Sequence, residues 1–329
     1  MLLKDKYFPF IFDNSSFHKD RITKLKNYAT IDNFDNTIIY GPNGNGKYTT
    51  ALMMLENIYG KEIYNKNLKK IKFNINSYEK EIDIKCSTHH YEIYLNDNNS
   101  YDKLIILKLL KQISDNYNIS DKYSVILIKN AHYLSETIFL QIKNINEHKY
   151  NNCKFILLSN TLINIPKYFF GFFAYIRMPS ISNDELSLFF LNIAKKENIE
   201  INNEQFNILA IKHNYNINLL FIMFDLFLQK KSYFKYETYL DKQYSIIIKL
   251  IEKKDINNIS EIKKKLYNLT AFNVNKHNII KLLFNHFIQK IKDKENFTTL
   301  TNNILLKLNK SYRELVHMEY YIISILTFL

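Results

Sequence analysis

Only 5 glycines occur in 329 residues, and three of them, Gly41, Gly44 and Gly46, fall within six positions. The run Gly41-Pro42-Asn43-Gly44-Asn45-Gly46-Lys47-Tyr48 follows the phosphate-loop pattern G-x-x-x-x-G-K and departs from it only at the next residue. Glycines let a backbone wrap closely enough for its amides to face phosphates, and the N-terminus of a following helix adds partial positive charge. Lys47 would bring a point charge to the outer phosphates. The next residue should be Ser or Thr, whose hydroxyl ligates Mg²⁺. Here it is Tyr48, whose oxygen lies several ångströms further from the backbone. Thr49 comes one position late, about 100° around a helix. Hydrolysis also needs acids at the end of a second strand. The apolar run Ser124–Ile128 is the natural strand, yet Lys129-Asn130-Ala131-His132 follows it without a carboxylate, and Glu136 already belongs to the next helix. The chemistry indicated is the holding of nucleotide phosphates rather than their cleavage. The competing reading is a glycine loop that merely turns the chain.

The surrounding pattern supplies the elements that such a loop requires. Asn36–Tyr40 reads as a buried strand before it and Thr49–Tyr59 as a helix after it. Lys80–Cys86 and His90–Leu95 alternate like strands, and Tyr101–Ser114 is amphipathic at helical spacing. Ser124–Ile128, a helix at Ser135–Glu147 and a strand at Cys153–Ser159 complete a parallel α/β sheet covered on both faces. Beyond Pro179 there is no further Pro or Gly, and the periodicity turns helical. Ser182-Asn183-Asp184-Glu185 is a capping-box pattern. Helices are expected at 183–197, 203–213, 216–231, 238–253, 258–270, 275–292, 299–309 and 311–328. Lys230–Tyr239 marks a junction. This gives an α/β domain at 1–180, a small helical domain at 181–239 and a C-terminal helical domain at 240–329.

Composition bounds the rest. Hydrophobic residues at 47% exclude disorder as the global state, and 5 Gly with 4 Pro exclude collagen-like sequence. No apolar stretch reaches the ~18 residues of a membrane-spanning helix. The first dozen residues lack a signal-peptide pattern, and two cysteines are too few for a disulfide framework; an intracellular, soluble protein is expected. The formal charge of +13 suits a polyanionic partner. An AT-rich coding vocabulary (Lys, Asn, Ile, Tyr) accounts for part of that excess. Cys86, His89 and His90 lack the spacing of a metal site and read as ordinary structure, and no metal ligand set is expected. Phe221, Phe224 and Phe227 recur at helical spacing and read as core or subunit interface. Lys69, Lys70 and Lys72 form a local basic patch.

Taken in order, these motifs resemble the small subunits of replication factor C, the sliding-clamp loader of the AAA+ superfamily, and most of all the subunit whose loop reads G-K-K. Lys4-Asp5-Lys6-Tyr7-Phe8-Pro9 is similar to the family's D-K-Y-x-P opening, and Phe17-His18-Lys19-Asp20 continues the match. Tyr40–Lys47 matches its phosphate loop. Asn151–Asn160 resembles the strand that ends in the sensor-1 Asn, and Ile165-Pro166 and Arg177-Met178-Pro179 fall on two further motifs. The resemblance covers residues 1 to about 230, with a short insertion near Phe169–Phe173.

The resemblance implies an AAA+ α/β domain, a helical lid and a C-terminal helical collar. It implies ATP as cofactor, with or without Mg²⁺, held by Gly41, Pro42, Asn43, Gly44, Asn45, Gly46, Lys47, Tyr48 and Thr49. Asn160 is the sensor-1 residue, and Tyr7 and Pro9 lie on the adenine side. Lys143 takes a DNA-facing position. The implied partners are the other subunits of a heteropentamer, a PCNA-like sliding clamp and primer–template DNA, in the nucleus or in the host cell of a DNA virus; no membrane is involved. The departures matter equally. Asn130 and His132 stand in place of the family's E and D, Phe169-Phe170-Gly171-Phe172-Phe173 replaces the arginine-finger motif, and Asn218 replaces the sensor-2 Arg. No catalytic residue is therefore expected. The alternatives are an active P-loop ATPase remodelling protein or DNA, and a structural paralogue that binds no nucleotide.

Overall fold

The computed structural model describes residues 2–7, 17–30, 34–75, 78–95, 103–115, 123–148, 153–199, 201–213, 215–230, 239–254, 258–271, 276–310 and 314–328. Pro9 and most of the 230–239 junction lie outside them. Contacts divide the chain into Met1–Lys231 and Ser232–Leu329.

The first unit begins with helices α1 (Leu3–Lys6) and α2 (Lys19–Tyr28), strand β1 (Thr37–Tyr40) and helix α3 (Lys47–Tyr59). Strands β2 (Asn67–Ile75), β3 (Tyr78–Cys86) and β4 (His90–Tyr94) follow, then α4 (Lys103–Asp115), β5 (Ser124–Lys129), α5 (Glu136–His148), β6 (Cys153–Ser159) and β7 (Ala174–Arg177). Seven strands form one sheet in the order β2-β3-β4-β5-β6-β1-β7. From β4 to β7 every pairing is parallel, whereas β2–β3 and β3–β4 are antiparallel. The wholly parallel sheet expected from the sequence is thus corrected at one edge. Strand β2 escapes sequence reading because its lysines interrupt the apolar pattern, a composition suited to an exposed edge. Lys69, Lys70 and Lys72 are exposed on it, and Lys72 pairs with Glu81 across the hairpin at 2.8 Å.

Alternation along the central strands builds two cores. Ile38, Ile126, Ile128, Phe155 and Leu157 point to one face, beneath Ile105 and Leu109 of α4 and Ile138 and Ile142 of α5. Ile39, Val125, Leu127, Ile156 and Leu158 point to the other, beneath Leu25 of α2 and Leu52 and Met54 of α3. Period-2 side-chain direction turns an unbroken apolar strand into the centre of a three-layer sandwich.

Helices α6 (Asn183–Lys196), α7 (Asn203–Lys212) and α8 (Ile217–Lys230) complete this unit. Ser182 caps α6 by accepting from the Glu185 N–H at 3.3 Å, as the capping-box pattern predicts. Phe190 packs 5.0 Å from both Phe221 and Phe224, so the phenylalanine stripe is core.

The second unit contains α9 (Tyr239–Glu252), α10 (Ile259–Ala271), α11 (Lys276–Phe287), α12 (Lys294–Lys310) and α13 (Glu314–Phe328). Ile247, Leu266, Ile279, Leu283, Phe287, Phe297, Tyr321, Ile322 and Ile325 form its core, while Leu282 stays exposed. Among the described residues no helix is long and apolar enough to cross a membrane.

Candidate nucleotide site

The loop between β1 and α3 closes over the C-terminal edge of the sheet. Its Gly41 N–H donates to the Ser159 carbonyl at 3.2 Å, and the buried Asn45 side chain donates to the Pro179 carbonyl at 2.8 Å. Two glycines carry the shape. Gly44 has φ +81°, and a Cβ there would lie 2.0 Å from Asn216 Oδ1, at the start of α8. Gly46 has φ +77° and forms the N-cap of α3 without a side-chain cap; a Cβ there would meet nothing within 4 Å. The first loop-facing glycine of the helix therefore borders open space, with the first-turn amides beside it.

That space is a cavity of about 500 Å³. Asn43, Gly44, Asn45, Gly46, Lys47, Tyr48, Thr49, Asn160 and Tyr7 all line it, together with Lys129, Asn130 and Asn218. Lys47 folds back so that Nζ donates to the Gly41 and Pro42 carbonyls, both at 2.7 Å, and burial pulls its pKa down to about 8. The Asn160 amide meets His132 Nε2 at 3.3 Å, so these two side chains lie together at the ends of β5 and β6. Tyr7 donates to Glu197 at 2.5 Å, and burial together with that carboxylate pushes its phenol up to about 12. Asn130, in the left-handed region at φ +58°, donates its side-chain amide to the Leu95 carbonyl at 2.9 Å. Pro9 lies outside the described residues. Lys143 stands apart on α5, 3.6 Å from Glu147 and near the rings of Tyr168 and Phe172.

Tyr48 turns out of the phosphate cradle towards strand β4. Its hydroxyl donates to Glu92 Oε1 at 2.8 Å and accepts from Lys66 Nζ at 2.6 Å. Glu92, whose side chain is 3% exposed, also receives Lys66 at 2.7 Å, Lys129 at 2.9 Å and His90 Nε2 at 3.2 Å. The Lys129 ammonium lies 3.6 Å from the centroid of the Tyr48 ring. Burial would raise the Glu92 carboxyl, but the His90 hydrogen bond and the two ammoniums outweigh it and hold the group well below the usual carboxylate range. Burial, and then the charge of Glu92, raises the Tyr48 phenol, which stays a proton donor.

The residues at the loop's hydroxyl position and at the end of β5 are thus a phenol engaged elsewhere and an ammonium, with Asn130 and His132 following in place of acids. They do not fit a Mg²⁺ ion. Two unit charges about 4 Å apart interact by about 4 kcal/mol at an effective dielectric of 20, so an ammonium in place of a carboxylate converts attraction for a divalent ion into repulsion. Among the described residues, no cluster of three or more His, Cys, Asp or Glu stands ready to hold a metal. Lys66, Lys129 and Glu92 were not legible as a unit, because two strands separate Lys66 from Glu92 and a helix separates Glu92 from Lys129. The one sequence signal was the alternation of His90 with Glu92, which puts two polar groups on one buried face of β4.

No protein-family model matches the chain. Among curated proteins, a replication factor C small subunit of Acanthamoeba polyphaga mimivirus is 26% identical over 99% of this chain and 90% of its own length. Replication factor C subunit 5 of Saccharomyces cerevisiae is 23% identical over 85% of this chain and 84% of its own. Subunit 5 of Neurospora crassa is 27% identical over 50% of this chain and 48% of its own. A solved structure concerned with katanin self-assembly aligns over 56% of the chain and 57% of its own, at a TM-score of 0.35 and 13% identity, too slight a likeness to argue from. In the sheet itself, β6 lies between the phosphate-loop strand β1 and the apolar strand β5. The curated homologues of this chain are replication factor C subunits, a mimivirus small subunit among them, as the ordered motifs of the sequence imply.

Proposed function

We propose that the chain is one subunit of a replication factor C-type clamp loader, holding ATP without hydrolysing it. The observation that carries this is the similarity to a replication factor C small subunit along 99% of the chain. In this reading the protein occupies one position in a heteropentamer with other loader subunits, which opens a PCNA-like ring and places it on primer–template DNA. It acts inside the cell, where DNA is replicated. Residues 1–180 are the nucleotide-binding domain, 181–239 the lid and 240–329 the collar that packs beside its counterparts.

The cavity fits ATP. Gly44, Gly46 and the first turn of α3 would cradle the phosphates, Lys47 would swing from its two carbonyl acceptors to the outer phosphates, Asn160 would approach the terminal phosphate, and Tyr7 would lie near the base. Bound ATP would supply a polyanion that ties loop, strand ends and lid together. Hydrolysis lacks its groups: the end of β5 carries Lys129 and Asn130, with no carboxylate at either position. Lys143, on the surface of α5, is the candidate for a DNA phosphate.

The test is capture of the tagged full-length chain from its source, with mass spectrometry of what accompanies it. Other P-loop subunits in fixed stoichiometry, together with a ring-forming clamp, are the expected company. Recovery of the chain alone would remove the loader reading.

A further inference from the structure

We propose that this nucleotide site works without a divalent cation, and that the Lys129 ammonium stands where the ion would be. The inference rests on the reading that the cavity holds a nucleoside triphosphate. Three observations come first. Lys129 ends β5, the strand that would present the ion's carboxylate, and lines the same cavity as Gly44, Gly46 and Lys47. Its ammonium sits 3.6 Å from the ring centroid of Tyr48, the residue in place of the ion's hydroxyl ligand. The hydroxyl position of the loop and the end of the strand that should carry the acids are therefore altered together, the second by a cation.

Lys129 is also positioned rather than trailing in solvent. Glu92 Oε2 accepts from it at 2.9 Å, and its side chain is 21% exposed. Glu92 itself is no substitute ligand for an ion. Its Oε1 is taken by Tyr48, Lys66 and His90, and its Oε2 by Lys129.

The charge balance closes the argument. Lys66 and Lys129 against Glu92 leave one net positive charge beside the loop. A divalent ion beside a single carboxylate leaves the same. An ammonium also brings N–H donors to phosphate oxygens, as Lys47 does from the other side. A divalent ion entering beside Lys129 would meet repulsion instead.

The experiment is calorimetric titration of the full-length protein with ATP, once with excess Mg²⁺ and once with excess EDTA. The affinity should differ by less than about threefold between the two. Lys129→Met should weaken binding in EDTA by about tenfold or more, while Lys129→Arg retains it. Circular dichroism of each variant checks that it folds. Loss of about tenfold or more on adding EDTA to the unaltered protein would show that the ion is needed and overturn the inference alone. Unchanged EDTA binding by a folded Lys129→Met protein would overturn the role of Lys129. Absence of binding in both buffers would overturn this inference and the ATP-holding reading together, leaving loader membership to the capture experiment.

Discussion

Tyr48 exchanges a small metal-binding hydroxyl for a phenol that reaches across to β4, and the exchange is supported by partners on three separate strands or turns. Lys66 follows α3 in the chain, Glu92 sits in β4 and Lys129 ends β5. Removing the shared carboxylate would leave two partly buried ammoniums facing each other, so Glu92→Ala should destabilise the first unit by about 3–5 kcal/mol, read by urea denaturation. The pH dependence follows from the depressed carboxyl of Glu92. Below the usual carboxylate range the unfolded chain takes up a proton that the folded chain refuses. The stability contributed by Glu92 is therefore complete above about pH 5 and declines as the medium becomes more acid. The acid limb of the stability curve should flatten in the Glu92→Ala protein. At this scale the sequence was half legible. Gly41 to Lys47 announce themselves because a phosphate loop is contiguous, whereas Glu92 and Lys129 meet only through sheet pairing, 37 positions apart.

At the scale of elements, buried strands and amphipathic helices were readable because their periods are set by the faces they bury. The lysine-rich β2 and the four-residue β7 were not, since an edge strand needs little apolar signal and a short one offers little pattern. The Phe169–Phe173 segment shows how an aromatic run resolves into structure. Phe169 is fully buried, 5.2 Å from Phe139 on α5 and 4.7 Å from Phe173, while Phe170 and Phe172 remain exposed. The segment thus anchors the turn into β7, the strand beside β1. Phe169→Ala should cost about 3–5 kcal/mol by opening a cavity under α5, whereas Phe170→Ala, which loses only a surface stack on Tyr175 at 4.8 Å, should cost no more than about 1.5 kcal/mol; thermal melts of the two variants check this.

For the whole molecule, the two cores of the α/β sheet draw every residue from before position 180. Among the described residues, the five C-terminal helices form a core of their own. A chain cut before residue 240 should therefore still fold, with the far-ultraviolet dichroism of a mixed α/β protein and cooperative melting. If 240–329 is the collar, the same truncation abolishes recovery with partner subunits; full recovery would reject the collar role. The C-terminal unit was legible as helices but not as an interface, because its motif-free pattern says only which faces are apolar. The claim at the centre of this account is that a phosphate loop that keeps its glycines and lysine serves a site without hydrolytic groups. It is tested most directly by phosphate release from ATP by the purified full-length protein, with primed DNA and clamp present. No release above background is expected, from the unaltered protein or from Tyr48→Thr or Asn130→Glu alone, because groups that act as a unit do not rescue singly. Turnover near ~1 s⁻¹ that vanished in a Lys47→Ala protein would contradict it.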